Sequence, residues 1–155
     1  MEQEEIGSVV ERCELFRNLE SRDIERIVGL CRVETYESGA EVIRQGDFVT
    51  SLYIVAEGRV VLERSLDMGA RRGVVPVDIL GKGRVFGCWS TLLDEPHILM
   101  CTVTCGRPTT ALVIEGSELR KLMLGDKDFG FKIIENLCLF LRKRMHVLYG
   151  AMEKL

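Results

Sequence analysis

The alternation of hydrophobic and polar positions divides the chain into a helical part, a strand-rich part and a second helical part. Apolar residues recur at intervals of three or four in two N-terminal segments, which predicts two short amphipathic helices within residues 3–32. Residues 33–115 instead hold short runs rich in Val, Ile, Tyr and Thr, separated by glycine-bearing turns. Such runs predict a small β barrel or sandwich, and the helical spacing returns in residues 116–155.

The last helical segment carries a long apolar stripe. Its members recur at intervals of three or four residues and are Ile134, Leu137, Leu141, Met145, Leu148, Met152 and Leu155. One interpretation is that this helix simply lies along the barrel. Because a helix that reaches beyond a small barrel leaves its apolar stripe uncovered, we instead expect a second copy of the chain to cover it. We therefore predict a homodimer through Leu137, Leu141, Met145, Leu148 and Met152.

The order of these elements predicts one α+β domain over residues 1–155, with helices in 3–32, a barrel in 33–115 and helices in 116–155. A chain of 155 residues is long enough to bury most of its apolar surface in one core without disulfides or metals. We see no P-loop, no paired acidic motif and no Ser/His/Asp order that such a fold would bring together. The sequence therefore predicts a protein that is not an enzyme.

Charge and apolar content argue against several kinds of partner. The net charge is −3, whereas a nucleic-acid surface needs a basic face. We expect no DNA contact from this chain alone, and we interpret Arg142–Arg144 as part of a solvated face. No apolar run reaches the roughly 18 residues of a membrane span. The acidic N-terminus also lacks the features of a secretory signal, so we predict a cytoplasmic protein without a membrane partner.

The cysteines predict neither a metal site nor a disulfide framework. No C-x-x-C pair occurs, and two histidines are too few for a zinc finger. If Cys101 and Cys105 share a strand, they lie about 13 Å apart, whereas a disulfide needs Cα atoms within about 7 Å. We expect all six thiols to be reduced and buried, and these are Cys13, Cys31, Cys88, Cys101, Cys105 and Cys138.

Several stretches together resemble the cyclic nucleotide-binding domain of the cAMP receptor protein and Fnr type. The resemblance covers about residues 14–150 and rests on an ordered set of segments. They are the opening helix "LFRNLESRDIERIV", the turns at Gly39, Gly46 and Gly58, the run "ILGKGRVFG", and the long helix "DFGFKIIENLCLFLRKRM". The resemblance implies a β jelly-roll barrel that is followed by a long dimerisation helix, and a regulatory or sensor function.

The segment that resembles the phosphate-binding cassette of that family departs from its pattern. Phe86, Gly87 and Ser90 match, and Pro96 matches with a longer spacing. The glutamate position of the family is Cys88, and its arginine position is His97. The sequence "FGCWS" resembles that of stand-alone bacterial members that read Phe-Gly-Trp-Ser in the cassette and end after the long helix, with one extra residue here at Cys88. On this resemblance, the candidate ligand-binding residues are Phe86, Gly87, Cys88, Trp89, Ser90 and His97.

The two departures predict weak nucleotide binding. In the family the arginine pairs with the cyclic phosphate and the carboxylate accepts from the ribose hydroxyl. Each such contact contributes about 1.5–3 kcal/mol. Loss of both therefore corresponds to about 10²–10⁴ in affinity. The elements of the cradle that remain are the Ser90 hydroxyl and the free N–H groups that begin the short helix after Gly87, and a helix start alone holds an anion weakly.

Three residues of this segment admit more than one interpretation. Trp89 stacks on a ligand, or it packs the short helix against the barrel. Cys88 is a redox-active thiol at a helix start, or a small filler where the carboxylate is missing. His97 contacts an anion or ligates haem iron, or it is a histidine at the rim of a pocket.

The sequence thus leaves several functions open. The first is a dimeric sensor that binds a small ligand other than cyclic AMP, or binds cyclic nucleotide weakly, with no other cofactor. The second is a ligand-free module for dimerisation or protein interaction. The others are a haem or redox sensor, and the sensory half of a transcription regulator whose DNA-binding domain is absent.

Overall fold

A computed structural model describes residues 1–67 and 69–153 of the chain. Met68, in a predicted turn, and Leu155, at the end of the predicted stripe, lie outside the described residues. The α-helices are α1 (Gln3–Arg12), α2 (Ser21–Val28), α3 (Gly116–Gly125) and α4 (Lys127–Met152). The strands are β1 (Arg32–Tyr36), β2 (Glu41–Ile43), β3 (Ser51–Glu57), β4 (Val60–Asp67), β5 (Arg72–Leu80), β6 (Val85–Gly87), β7 (Thr102–Cys105) and β8 (Thr109–Glu115). A 3₁₀ helix spans Trp89–Leu93.

The strands form two antiparallel four-stranded sheets that face each other. One sheet has the order β1-β8-β3-β6 and the other the order β2-β7-β4-β5. Strands that are neighbours in space are distant in sequence, as in β1 with β8 and β4 with β7. This arrangement confirms the predicted α+β class and the jelly-roll barrel. The hydrophobic pattern did not predict β6, because three residues are too few to show alternation.

The helices pack against one sheet and form the larger part of the core. Buried side chains from α1, α2 and α3 meet residues of β3 and β8 in a single apolar cluster. Helix α4 contributes a buried stripe to it, which consists of Phe129, Ile133, Leu137 and Phe140. A second, smaller cluster lies inside the barrel around Val55 and Phe86. The first half of α4 is therefore packed into the larger cluster, against β3 and β8.

The buried stripe of α4 corrects one interface residue. Leu137 is 3% exposed and packs within the core of its own chain, so it is not available to a second copy. The pattern misplaced it because the side that faces the core and the exposed side are both apolar in this part of α4. The assignment of Leu137 to the dimer interface is wrong for this reason, whereas Leu141, Met145, Leu148 and Met152 stay predictions.

Two findings bear on membranes and metals. None of the helices within residues 1–67 and 69–153 is both long enough and apolar enough to cross a bilayer. Over the same residues, no three His, Cys, Asp or Glu side chains come together as metal ligands would.

Candidate functional site

A cavity of about 610 Å³ lies between the barrel and the second half of α4. Its volume is in the range of about 300–1,000 Å³ that small-molecule sites span. The walls are mainly apolar, and the charged residues among them are Arg64, Asp78 and Arg144. The apolar residues that line it are Leu52, Leu62, Val77, Val85, Phe86, Trp89, Leu99, Met100, Cys101, Val103, Phe140, Leu141, Met145, Val147 and Leu148.

The cassette segment forms one end of this cavity. Four of the six candidate residues, Phe86, Gly87, Trp89 and His97, line it, and their role in ligand binding stays a prediction. Phe86 is fixed by stacking on Tyr53, with ring centroids 4.9 Å apart. The Trp89 ring meets the His97 ring edge-on at 5.9 Å. Trp89 therefore both packs within the cassette and faces the cavity, so the two interpretations of this residue are compatible.

Gly87 occupies a position that only glycine fits. Its φ is +100°, in the left-handed region, and a Cβ added there would lie 2.5 Å from the Ser51 carbonyl oxygen. The reason is that β6 ends at Gly87 directly against β3, with Gly87 opposite Leu52 in the register. The close approach turns the chain from β6 into the 3₁₀ helix and so sets the position of Trp89.

Gly87→Ala is expected to lower the free energy of unfolding by about 3 kcal/mol, because it combines an unfavourable φ with a clash against backbone. The measurement is urea unfolding followed by circular dichroism. Gly81→Ala is the matched control, since a Cβ at Gly81 meets nothing within 4 Å. Equal losses in the two variants would contradict this account of Gly87.

Cys88 and Ser90 lie behind the cavity wall and support His97. Cys88 is 0% exposed and Ser90 is 5% exposed. The Ser90 hydroxyl is 2.6 Å from the Glu95 carbonyl oxygen and 2.6 Å from His97 Nδ1. Since a hydroxyl has one hydrogen and a carbonyl can only accept, Ser90 donates to Glu95 and His97 Nδ1 donates to Ser90. The Ser90 hydroxyl, which we expected to remain free for a ligand, is thus already satisfied within the chain.

The contact between Ser90 and His97 was not predicted, and it raises the question of a nucleophile with its base. Catalysis by such a pair requires a histidine nitrogen that accepts the serine proton. Here Nδ1 carries a proton of its own, and the serine is buried behind the wall of the cavity. The pair therefore fixes the imidazole ring and leaves Nε2 as its remaining polar atom.

Five of the six thiols are poorly placed for redox sensing, whereas Cys138 is exposed, which corrects the expectation that all six are buried. Reactive thiols are exposed and have lowered pKa values. Burial instead raises the pKa of Cys13 and of Cys31 to about 12. Burial also raises the pKa of Cys101 and of Cys105 above the ordinary value. Cys88 is enclosed, with Sγ 3.4 Å from Ser90 Oγ, which fits the interpretation of a small filler better than that of a sensor.

A buried ion network joins the cavity to three parts of the chain. Glu14, after α1, lies 3.1 Å from Arg144 of α4 and 2.9 Å from Arg84 before β6. Asp78 of β5 completes the network at 3.8 Å from Arg144 and 3.9 Å from Arg84. The backbone of Val85 is held on both sides, because its N–H donates to Glu14 at 2.9 Å and its carbonyl accepts from Arg144 at 2.7 Å.

This network corrects the interpretation of the basic cluster at Arg142–Arg144. Arg142 and Lys143 are exposed, but the Arg144 side chain is 15% exposed and its guanidinium lies over the Phe140 ring at 4.8 Å. Burial lowers the pKa of Arg144, and Glu14 offsets part of that effect. The sequence signal available was spacing, since Arg144 follows Phe140 and Leu137 on the buried side of α4.

Among the residues predicted for the dimer interface, some line the cavity and some are exposed to solvent. Leu141, Met145 and Leu148 line the cavity. Met145 is nevertheless 50% exposed, Leu148 44% and Met152 65%. The second half of α4 is therefore both a wall of the cavity and an uncovered apolar surface.

Known proteins are similar to this chain in both sequence and fold. A sequence model of the cyclic nucleotide-binding domain matches residues 33–126. The chain belongs to the cyclic nucleotide-binding domain family. The resemblance to this domain that the sequence shows is thereby confirmed, whereas the likeness to stand-alone members stays a prediction. The cyclic AMP receptor protein of Thermus thermophilus is 31% identical to this domain over 112 residues, which are 72% of this chain and 46% of that protein.

Solved structures agree on the fold. A cyclic nucleotide-binding domain from Methylobacillus flagellatus superposes with a TM-score of 0.82 at 18% identity, over 99% of this chain and 84% of that chain. The catabolite activator protein of Thermus thermophilus superposes with a TM-score of 0.71 at 24% identity, over 90% of this chain and 62% of that chain. The chain spans less than half the length of the curated relatives it matches, at 46% and 29%.

Proposed function

We propose that this cyclic nucleotide-binding domain is a cytoplasmic sensor module, without enzymatic activity, whose cavity takes a small ligand other than cyclic AMP. The observation that carries the proposal is the cavity of about 610 Å³ with its largely apolar walls. At the cassette end a buried thiol stands at Cys88 and an imidazole at His97, where the family pattern has a carboxylate and a guanidinium. The groups that would pair with a sugar hydroxyl and a cyclic phosphate are missing from the place where they act.

Ligand binding in this cavity has a direct route to α4. Phe140, Leu141 and Met145 of α4 form one wall, and Phe86 and Trp89 of the cassette form another. A ligand that contacts both walls binds best to one position of α4 against the barrel. Such a difference in affinity between two positions is what a ligand needs to shift their populations.

Cyclic AMP is expected to bind with a dissociation constant of about 100 μM or weaker, because two charge-assisted contacts are missing. Isothermal titration calorimetry measures this directly. Trp89 is the only tryptophan and lines the cavity, so its emission reports occupancy independently. Saturable binding of cyclic AMP in the low micromolar range would overturn the proposal.

We also propose that two copies pair through α4 in a parallel coiled coil. Apolar residues repeat every seven positions in this helix, as Phe131, Cys138, Met145 and Met152. All four are exposed in the chain, with Phe131 at 65% and Cys138 also in the exposed class. A second apolar series, Ile134, Leu141 and Leu148, follows each of the first three members after three residues. Two series with these offsets are the seam of a coiled coil.

The ligand-free interaction module is the second candidate, and the exposed apolar side of α4 is the observation that favours it. In that case the cavity is only a gap under α4, and no small molecule alters Trp89 emission or the dimer. Protein as purified distinguishes the two candidates, because a bound small molecule is released by denaturation and identified by mass spectrometry. The same sample shows a Soret band if His97 ligates haem, a result that would replace both candidates.

A further inference from the structure

Two of the three charged residues that line the cavity, Asp78 and Arg144, form ion pairs within the described part of the chain. Arg144 and Asp78 face each other across 3.8 Å, and both belong to the buried network with Glu14 and Arg84. That network holds two carboxylates and two guanidinium groups, so its net charge is zero. Neither Arg144 nor Asp78 therefore presents an uncompensated charge to a ligand.

Arg64 differs from these residues. It lies on β4 two positions after Leu62, so both side chains project from the same side of the strand, and both line the cavity. Over residues 1–67 and 69–153, Arg64 forms no ion pair, although Arg84 and Arg144 each form two. Cys101, another lining residue, is close enough for the charge of Arg64 to act on its thiol.

We propose that the cavity binds a small organic monoanion, with its acid group on Arg64 and its apolar body along Leu62, Phe86 and Met145. This inference rests on the proposed function, namely that the cavity holds a small ligand other than cyclic AMP. It adds the chemical class of that ligand, which is an aliphatic or aromatic carboxylate with one charge at one end.

The composition of the walls selects this class over others. A guanidinium binds a carboxylate through two parallel hydrogen bonds, and a partly buried site strengthens them. A second charge on the ligand would lie against apolar side chains such as Leu99 and Val103, where an unpaired charge is costly. A cationic ligand would meet Arg64 with like charge. A single acid group at one end of an apolar body satisfies both parts of the cavity.

Decanoate is a suitable probe, and decan-1-ol is the neutral probe of equal chain length. Trp89 emission is titrated with each in the wild-type protein and in Arg64→Gln. We expect saturable binding of decanoate, a loss of about tenfold or more in its affinity in Arg64→Gln, and little change for decan-1-ol. Arg72→Gln is the matched control, because it removes the same charge from the exposed start of β5. Arg64→Lys keeps the charge but loses the pair of parallel hydrogen bonds, so its affinity for decanoate is expected to lie between those of the wild type and Arg64→Gln.

The outcomes separate this inference from the proposed function. If decan-1-ol binds as tightly as decanoate and Arg64→Gln weakens neither, the cavity holds ligands but the anion inference is wrong. If Arg72→Gln weakens decanoate as much as Arg64→Gln does, the effect comes from net charge and the inference is again wrong. If neither probe changes Trp89 emission, the proposed ligand cavity itself fails.

Discussion

Glu14→Gln is expected to lower the free energy of unfolding by about 3–5 kcal/mol, which is among the largest effects of any single substitution in this chain. The Glu14 side chain is 6% exposed and is the one acceptor that Arg84, Arg144 and the Val85 N–H share. Glutamine keeps the shape but removes the charge, so two buried guanidinium groups are left with Asp78 alone. Unpaired buried charge is much more costly than the loss of a surface ion pair.

Urea unfolding measures this loss, and Glu11→Gln is its control. Glu11 is exposed on α1, only three residues earlier, so the same substitution there is expected to change stability by less than about 0.5 kcal/mol. A similar small effect for Glu14→Gln would mean that water or rearranged side chains compensate the arginines. In that case the network would not hold α4 against β6.

The network also holds two walls of the cavity, α4 and the cassette, against each other. Arg144 ties the middle of α4 to the carbonyl of Val85, one residue before Phe86 of the cassette. The apolar contacts of Phe129, Ile133 and Phe140 hold the same helix to the core from its other end. Beyond Arg144, Met145, Val147 and Leu148 of α4 line the cavity, so under the proposed function this last part is where a bound ligand contacts the helix.

Most of the fold could be predicted from the sequence because its signals are local. Alternation of hydrophobic and polar residues predicts strands such as β3 and β8, and apolar residues at intervals of three and four predict the helices. Gly58, whose φ is +87°, indicates the hairpin between β3 and β4. The four residues Phe86, Gly87, Trp89 and His97 at the cavity were found by comparison with the cassette pattern.

The rest of the site depends on contacts between distant residues, which one sequence does not reveal. Glu14 and Arg144 are 130 residues apart, and nothing near either residue indicates the other. Arg64 lies in an ordinary strand pattern on β4, and nothing in that pattern places it at the cavity. Leu137 shows a second limit of prediction from the sequence. An apolar residue at helical spacing fits the core and the dimer interface equally well.

The final expected result concerns the proposed dimer. Met145→Asp is expected to yield a folded monomer at micromolar concentration. Met145 is 50% exposed in the single chain and belongs to the heptad series, which repeats every seven residues, with Cys138 and Met152. Burial of such a side chain contributes about 1.5–3 kcal/mol, and a two-fold interface loses it twice, which corresponds to about 10²–10⁴ in the dissociation constant. Met145 is a cleaner site than Leu141, which also packs against the core.

Leu139→Asp is the matched control for Met145→Asp. Leu139 is 54% exposed on the same helix but lies outside both apolar series, so the same introduction of a carboxylate should leave a dimer. Analytical ultracentrifugation measures the oligomeric state of both variants.

Cys138 supplies an independent readout, because a parallel coiled coil brings the two copies of this residue face to face at its axis. Oxidation should therefore link two chains in the wild-type protein, and this link should be lost in Met145→Asp but retained in Leu139→Asp. A wild-type protein that sediments as a monomer, or a dimer that survives in Met145→Asp, would show that α4 does not pair along this series.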